Sequence, residues 1–156
     1  MQTISIPNYA DLRIKHVVLD YNGTLAGGGI VSEETRKVLH ALTKSYRVYV
    51  ITADTFGTVR KELEAFDLEV SILSSSDHTA EKAALIERLG AGQSAAMGNG
   101  NNDRLMLEAA ALSIALMGSE GCAVETMQAA DILCGSIVDA MELLIYPKRL
   151  IATLRR

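Results

Sequence analysis

Short apolar runs alternate along this chain with stretches in which apolar residues recur at helical spacing. Val17-Val18-Leu19 is a continuous apolar run closed by the carboxylate of Asp20, the pattern of a strand buried on both faces. Arg47–Thr52, Val70–Leu73, Ala95–Met97, Ser113–Met117 and the short Ile132-Leu133 read as further strands. Between them lie amphipathic segments. Ser32 reads as an N-cap, with Glu33 and Glu34 in the first turn and Val38, Leu39 and Leu42 as the apolar stripe. Gly57–Phe66 puts Val59, Leu63 and Phe66 on one helical face, and Thr79–Leu89 is closed by Gly90. Asp103–Ala110 and Val124–Ala129 are shorter helices; a last one begins near Ile137, and Pro147 either kinks it or starts its final segment. Thr3–Ile6 reads as an edge strand ended by Pro7. This alternation predicts an α/β fold, a three-layer doubly wound parallel sheet.

Length and charge narrow the picture. The 156 residues fit a single domain, 1–156, with no linker, repeat or low-complexity stretch to divide it. The net charge is only −4, and no basic patch with interleaved aromatics occurs, so nucleic acid is not an expected partner. The basic tail Lys148–Arg156 reads as a solvated helix face. No run approaches the roughly 18 apolar residues of a membrane helix. Met1–Pro7 lacks the basic region and apolar stretch of an export signal, which predicts a cytoplasmic protein. Cys122 and Cys134, and likewise His16, His40 and His78, have no metal-ligand or redox spacing.

The chemistry concentrates where strands end. Asp20-Tyr21-Asn22-Gly23-Thr24 places a carboxylate at a strand tip, followed at once by a glycine turn. In open α/β sheets ligands bind at that edge, and turn amides there form an anion-binding concavity. Asp20 is therefore the candidate nucleophile toward phosphorus, with Asn22, Gly23 and Thr24 as phosphate-binding residues. Val48-Tyr49-Val50-Ile51-Thr52-Ala53-Asp54 delivers the Thr52 hydroxyl and the Ala53 amide to the same edge. Lys82, near the start of a helix, would neutralise phosphoryl charge. Gly98-Asn99-Gly100-Asn101-Asn102-Asp103 supplies a tight loop and a second carboxylate. Magnesium favours one or two carboxylates plus neutral oxygens, so Asp20, the Asn22 carbonyl, Asn99 and Asp103 are the candidate metal ligands.

These four motifs, in this order, resemble those of the haloacid-dehalogenase-like phosphohydrolases. Thr52-Ala53-Asp54 and Gly98–Asp103 are similar to the corresponding motifs of P-type ATPase phosphorylation domains, as are the downstream runs Ala111–Gly118 and Ala129–Leu133. The resemblance implies a capless, free-standing P-type-ATPase-like hydrolase that is magnesium-dependent and forms an aspartyl-phosphate on Asp20. Neither inter-motif segment is long enough for an inserted domain. Such a site is open, which implies a large phosphorylated substrate or a homo-oligomer whose neighbouring subunit supplies the lid. Gly27-Gly28-Gly29 could be a mobile flap or a plain loop, and the helix bearing Ile145, Tyr146, Leu150 and Ile151 could pack on a neighbour or within the chain.

Two positions depart from the family pattern. Asn22 stands where family phosphatases carry the Asp that protonates the leaving group and activates water, so turnover should be slow. Asn99 replaces a metal-site Asp and removes one negative charge. The alternative is a phosphate-binding or regulatory relative with weakened catalysis.

Overall fold

Successive residues of the first core strand point to opposite sides, and both sides are covered. Val17 and Leu19 enter one apolar cluster, Val18 the other, and all are inaccessible to solvent. The computed structural model describes residues 1–54 and 57–156. In chain order its elements are β1 Gln2–Ile6, β2 Ala10–Ile14, β3 His16–Asp20, α1 Glu33–Ser45, β4 Arg47–Thr52, α2 Thr58–Glu62, β5 Glu69–Ile72 and α3 His78–Leu89. There follow β6 Ser94–Gly98, α4 Arg104–Ala109, β7 Leu112–Leu116, α5 Val124–Ala129, β8 Ile132–Cys134, α6 Ile137–Ile145 and α7 Pro147–Leu154.

Six strands form one parallel sheet in the order β5-β4-β3-β6-β7-β8. Leu39 and Leu42 of α1 and Ile137, Met141 and Leu144 of α6 pack on the face of Val17, Val50, Met97 and Ile114. Leu85 and Ile86 of α3 and Met106 and Leu107 of α4 cover the face of Val18, Ile51, Ala96 and Ala115. This is the three-layer, doubly wound sheet the alternation predicts. Among the described residues, nothing larger than a hairpin or a helix separates consecutive strands, so no cap domain is inserted. No helix is long and apolar enough to cross a membrane among the described residues.

Two elements differ from the sequence reading, and a third resolves an alternative it left open. Thr3–Ile6 lies within β1, which pairs antiparallel with β2 in a separate two-stranded sheet and not with the parallel one. The Pro7-Asn8 turn makes this hairpin: the Tyr9 amide donates to the Ile6 carbonyl at 3.1 Å, and Asn8 adopts φ 58°. Ile4, Ile6, Leu12 and Ile14 then bury on one side of it, each contributing about 1.5–3 kcal/mol relative to exposure. The helix read over Gly57–Phe66 stops at Glu62, but Leu63 still buries in the core through the turn that follows. Pro147 starts α7 at its first turn, and α7 packs within the molecule, against β1 and α6, burying Leu150.

Candidate active site

The chain leaves β3, builds β4 and β5 to one side, then crosses over to β6 on the other. The carboxyl ends of β3 and β6 therefore flank the point where strand order reverses, where open sheets leave a crevice. A cleft of about 410 Å³ opens there, lined by Asp20, Asn22, Thr52, Ala53, Lys82 and Asn99, with Leu73, Gly100, Asn102, Glu120, Gly121 and Ala123 around them.

Asp20 is the last residue of β3 and is 8% exposed. Its Oδ1 accepts from Lys82 Nζ at 2.8 Å and its Oδ2 from the Thr24 hydroxyl at 3.2 Å. The chain then turns tightly. The Gly23 and Thr24 amides donate to the Ala26 and Tyr21 carbonyls, so they close the turn itself. Gly23 has φ 78°, and a Cβ there would lie 2.1 Å from Glu120 Oε2 and 2.8 Å from Asn99 Nδ2. The left-handed backbone favours glycine, and any side chain there would displace Glu120 or Asn99. Beyond it, Gly27–Ile30 forms a two-residue hairpin with Gly28 and Gly29 at positive φ, fastened by the Tyr21 hydroxyl to the Gly29 carbonyl at 2.8 Å.

Thr52 ends β4 with 2% exposure, and its hydroxyl accepts from the Asp54 amide at 3.2 Å. Lys82 is the bulkiest of the fully buried side chains. Besides Asp20, its ammonium donates to Asp103 Oδ1 at 2.7 Å and to Asn102 Oδ1 at 3.4 Å. The turn before α3 is fixed by Glu81, whose carboxylate accepts from the Ser74 and Ser75 amides, while Asp77 caps the helix through the Ala80 amide. Lys82 thus enters the site from a helix anchored at its first turn.

Asp103 is wholly buried. Its Oδ2 gathers the Asn99 and Gly100 amides at 3.1 and 3.0 Å, which closes the loop after β6. Gly98 makes room for it, since a Cβ there would lie 2.5 Å from Asp103 Cγ. The Asn99 side chain lies between two loops: its Nδ2 donates to the Gly121 carbonyl at 3.2 Å and its Oδ1 accepts from the Thr24 hydroxyl at 3.4 Å.

Burial and the neighbouring charge of Asp103 push the Asp20 carboxyl up to about 6, with Lys82 pulling it back down. Burial opposes the Lys82 ammonium, but Asp103 and Asp20 outweigh it and hold its pKa above the ordinary value. The site therefore holds a charged lysine between two carboxylates. Among the described residues, no three His, Cys, Asp or Glu side chains converge tightly enough to hold a metal by themselves. Oxygen donors at the cleft are the Asp20 and Glu120 carboxylates, the exposed Asn22 and the Asn99 and Asn102 amides, while Asp103 is turned to Lys82 and the loop amides.

The structure thus brings Asp20, Asn22, Thr52, Ala53, Lys82 and Asn99 to one cleft, with Thr24 and Asp103 bonded behind them. Glu120 and Asn102 also line it and were not among the expected site residues. Glu120 follows β7 in a loop with no local motif; only its position after a strand's carboxyl end could have pointed to it.

No protein-family model matches the chain. Over 60 residues it is 47% identical to an uncharacterized protein of Methanocaldococcus jannaschii, a match spanning 38% of this chain and 64% of that protein. Among solved structures it is similar to 3-deoxy-D-manno-octulosonate 8-phosphate phosphatase from Moraxella catarrhalis, in complex with magnesium, phosphate and KDO. That likeness has a TM-score of 0.72 at 18% identity, over 92% of this chain and 94% of that one. The cobalt-bound deoxy-D-mannose-octulosonate 8-phosphate phosphatase of Haemophilus influenzae gives 0.70 at 16%, over 86% and 88%. A haloacid dehalogenase-like family hydrolase of Streptococcus pneumoniae gives 0.63 at 12%, over 85% and 99%. The chain has the fold of the haloacid-dehalogenase-like hydrolases, in a form without a cap domain.

Proposed function

We propose that this protein is a magnesium-dependent phosphohydrolase or phosphotransferase that carries the phosphoryl group on Asp20. The observation that carries the reading is the buried Lys82 ammonium, 2.8 Å from Asp20 and 2.7 Å from Asp103, in a cleft that Thr52 and Asn99 share. Phosphatases among its structural neighbours support the same reaction class. The donor set suits a hard cation: the Asp20 carboxylate, the Asn22 carbonyl and the Asn99 side-chain oxygen are all oxygen ligands, and Asp103 adds charge from behind. Bound there, magnesium would withdraw charge from the phosphoryl oxygens.

The Asp20 carboxylate attacks phosphorus, forming an acyl-phosphate bond as the ester P–O bond breaks. Lys82 and the Thr52 hydroxyl take up charge on the phosphoryl oxygens. The departing oxygen draws its proton from solvent, because the Asn22 amide has none to give. Water then cleaves the acyl phosphate, regenerating Asp20 and releasing phosphate. No carboxylate stands at residue 22 to deprotonate that water, which slows the step by about 10²–10⁴-fold. The likeness to pump phosphorylation domains, which also lack a carboxylate at that position, supports a long-lived phosphoenzyme.

The test is hydrolysis of an aryl phosphate with magnesium by the wild type and Asp20→Ala. The wild type turns over and traps phosphate on protein; equal rates in the two proteins would discard the nucleophile. A second reading, a phosphate-binding regulator with little turnover, is favoured by the two amides at Asn22 and Asn99. Binding of phosphate or beryllofluoride without hydrolysis of any ester in a broad panel would select it.

A further inference from the structure

The charge around the cleft bears on which phosphate esters it admits. Its lining carries a single cation, Lys82, among the described residues, and that ammonium is already engaged by Asp20 and Asp103. An adjoining groove of about 430 Å³, lined by Tyr21, Asn22, Gly29, Ala53, Asp54, Thr58 and Val59, adds an acid and no base. At the mouth stands Glu120. Its carboxylate lies over Gly23, near the Asn99 side chain, and has no hydrogen-bond or ion-pair partner among the described residues. The loop that bears it is pinned to the site, through the Ala123 amide on the Asn99 carbonyl at 2.8 Å and Asn99 Nδ2 on the Gly121 carbonyl at 3.2 Å. The pinned loop keeps the exposed Glu120 at the cleft, beside the place where a leaving group would extend.

We propose that Glu120 is a charge filter, which biases the site toward phosphate monoesters whose alcohol is neutral or cationic and against nucleoside triphosphates and other polyphosphates. The proposal rests on the phosphohydrolase reading. Asp20, Glu120 and the Asp103 carboxylate behind them set three negative charges against one ammonium, so a divalent ion brings the region to neutrality and one phosphoryl group makes it anionic again. No cation of the lining offsets the further phosphates on the leaving group, so Glu120 repels the charge that their accompanying magnesium leaves. Like unit charges a few ångströms apart alter affinity severalfold in low salt, and the repulsion is largely screened beyond a Debye length of about 8 Å at physiological salt.

The experiment is calorimetric binding of orthophosphate and of tripolyphosphate, with magnesium in excess of both, to the wild type, Glu120→Gln and Glu120→Lys. The wild type prefers orthophosphate. Glu120→Lys shifts the ratio toward tripolyphosphate by about tenfold at low ionic strength, Glu120→Gln shifts it less, and added salt shrinks both shifts. A wild type that binds tripolyphosphate as well as orthophosphate, or a ratio unchanged in Glu120→Lys, overturns the filter and leaves the phosphohydrolase reading standing. A wild type that binds neither anion, together with no Asp20-dependent hydrolysis, removes both.

Discussion

Replacing Lys82 by Met keeps most of the length and apolar contact of the side chain and removes only the ammonium. Two carboxylates are then left facing each other, one wholly buried and one 8% exposed. Removing one partner from a buried ion pair typically costs about 3–5 kcal/mol, because the remaining charge has neither water nor a counter-ion. For a domain of this size a kcal/mol moves the melting temperature by roughly 2–4 °C, so the variant should melt on the order of 10 °C lower at neutral pH. The cause makes the loss conditional. Asp20 already has its carboxyl raised to about 6, and without the lysine it rises further. At pH 5 a proton occupies the pair, and the deficit shrinks. Magnesium should also restore part of it, by supplying the missing positive charge. Thermal unfolding followed by circular dichroism, at pH 7 and pH 5, with chelator or with magnesium, measures all of this. A variant that melts within about 3 °C of the wild type at pH 7 in chelator would refute the argument, as would a deficit that ignores pH.

Gly98→Ala should push Asp103 out of its place, since the new Cβ would fall 2.5 Å from Asp103 Cγ; the expected cost is about 1–3 kcal/mol in urea unfolding, with aryl-phosphate hydrolysis lost alongside. Glu81 is held down to about 2 by the hydrogen bonds it accepts from Ser75 and from Ser74. Its contribution is therefore present above pH 4.5 and lost as pH falls toward 2, so Glu81→Gln should melt lower than the wild type at pH 7 and converge with it in acid. Asp20 runs the other way: with its pKa raised from 3.8 to about 6, the folded state keeps a proton that the unfolded chain has released. The metal-free protein should accordingly lose stability as pH rises through that window, and Asp20→Asn should flatten the profile.

Much of this architecture was legible because burial on both faces leaves a strong mark. β3, β4 and β7 are apolar runs with no periodic polar face, and their ends coincide with Asp20, Thr52 and the loop beyond Leu116. The β1–β2 hairpin was half seen. Pro7 reads as a strand terminator, whereas with Asn8 it forms a turn that sends Ala10–Ile14 back along β1. The alternation of Leu12 and Ile14 with Asp11 and Arg13 was the available signal. The Gly23 and Thr24 amides were expected to face a ligand. They are instead satisfied inside their own turn, and the pairing of turn amides with turn carbonyls leaves no imprint on residue identity. Glu120 was invisible for a related reason: what places it is the contact of its loop with Asn99, made across two strands.

The amide at Asn99 has an electrostatic consequence for Asp20. Asp20 sits near its limit for a nucleophile at neutral pH, since burial and Asp103 already bring it to about 6. A further carboxylate within about 4–6 Å would raise it more, because like charges disfavour ionisation. At residue 99 that carboxylate would touch the Thr24 hydroxyl, which also bonds Asp20. An amide at residue 99 therefore leaves Asp20 more readily ionised than a carboxylate there would. Asn99→Asp should separate this effect from any on the metal. It should bind magnesium more tightly by calorimetry. In chelator, its stability should fall over a window that extends to higher pH than in the wild type. Tighter magnesium binding with an unshifted window would mean that residue 99 acts on the metal alone, and the balance argued for Asp20 would be wrong.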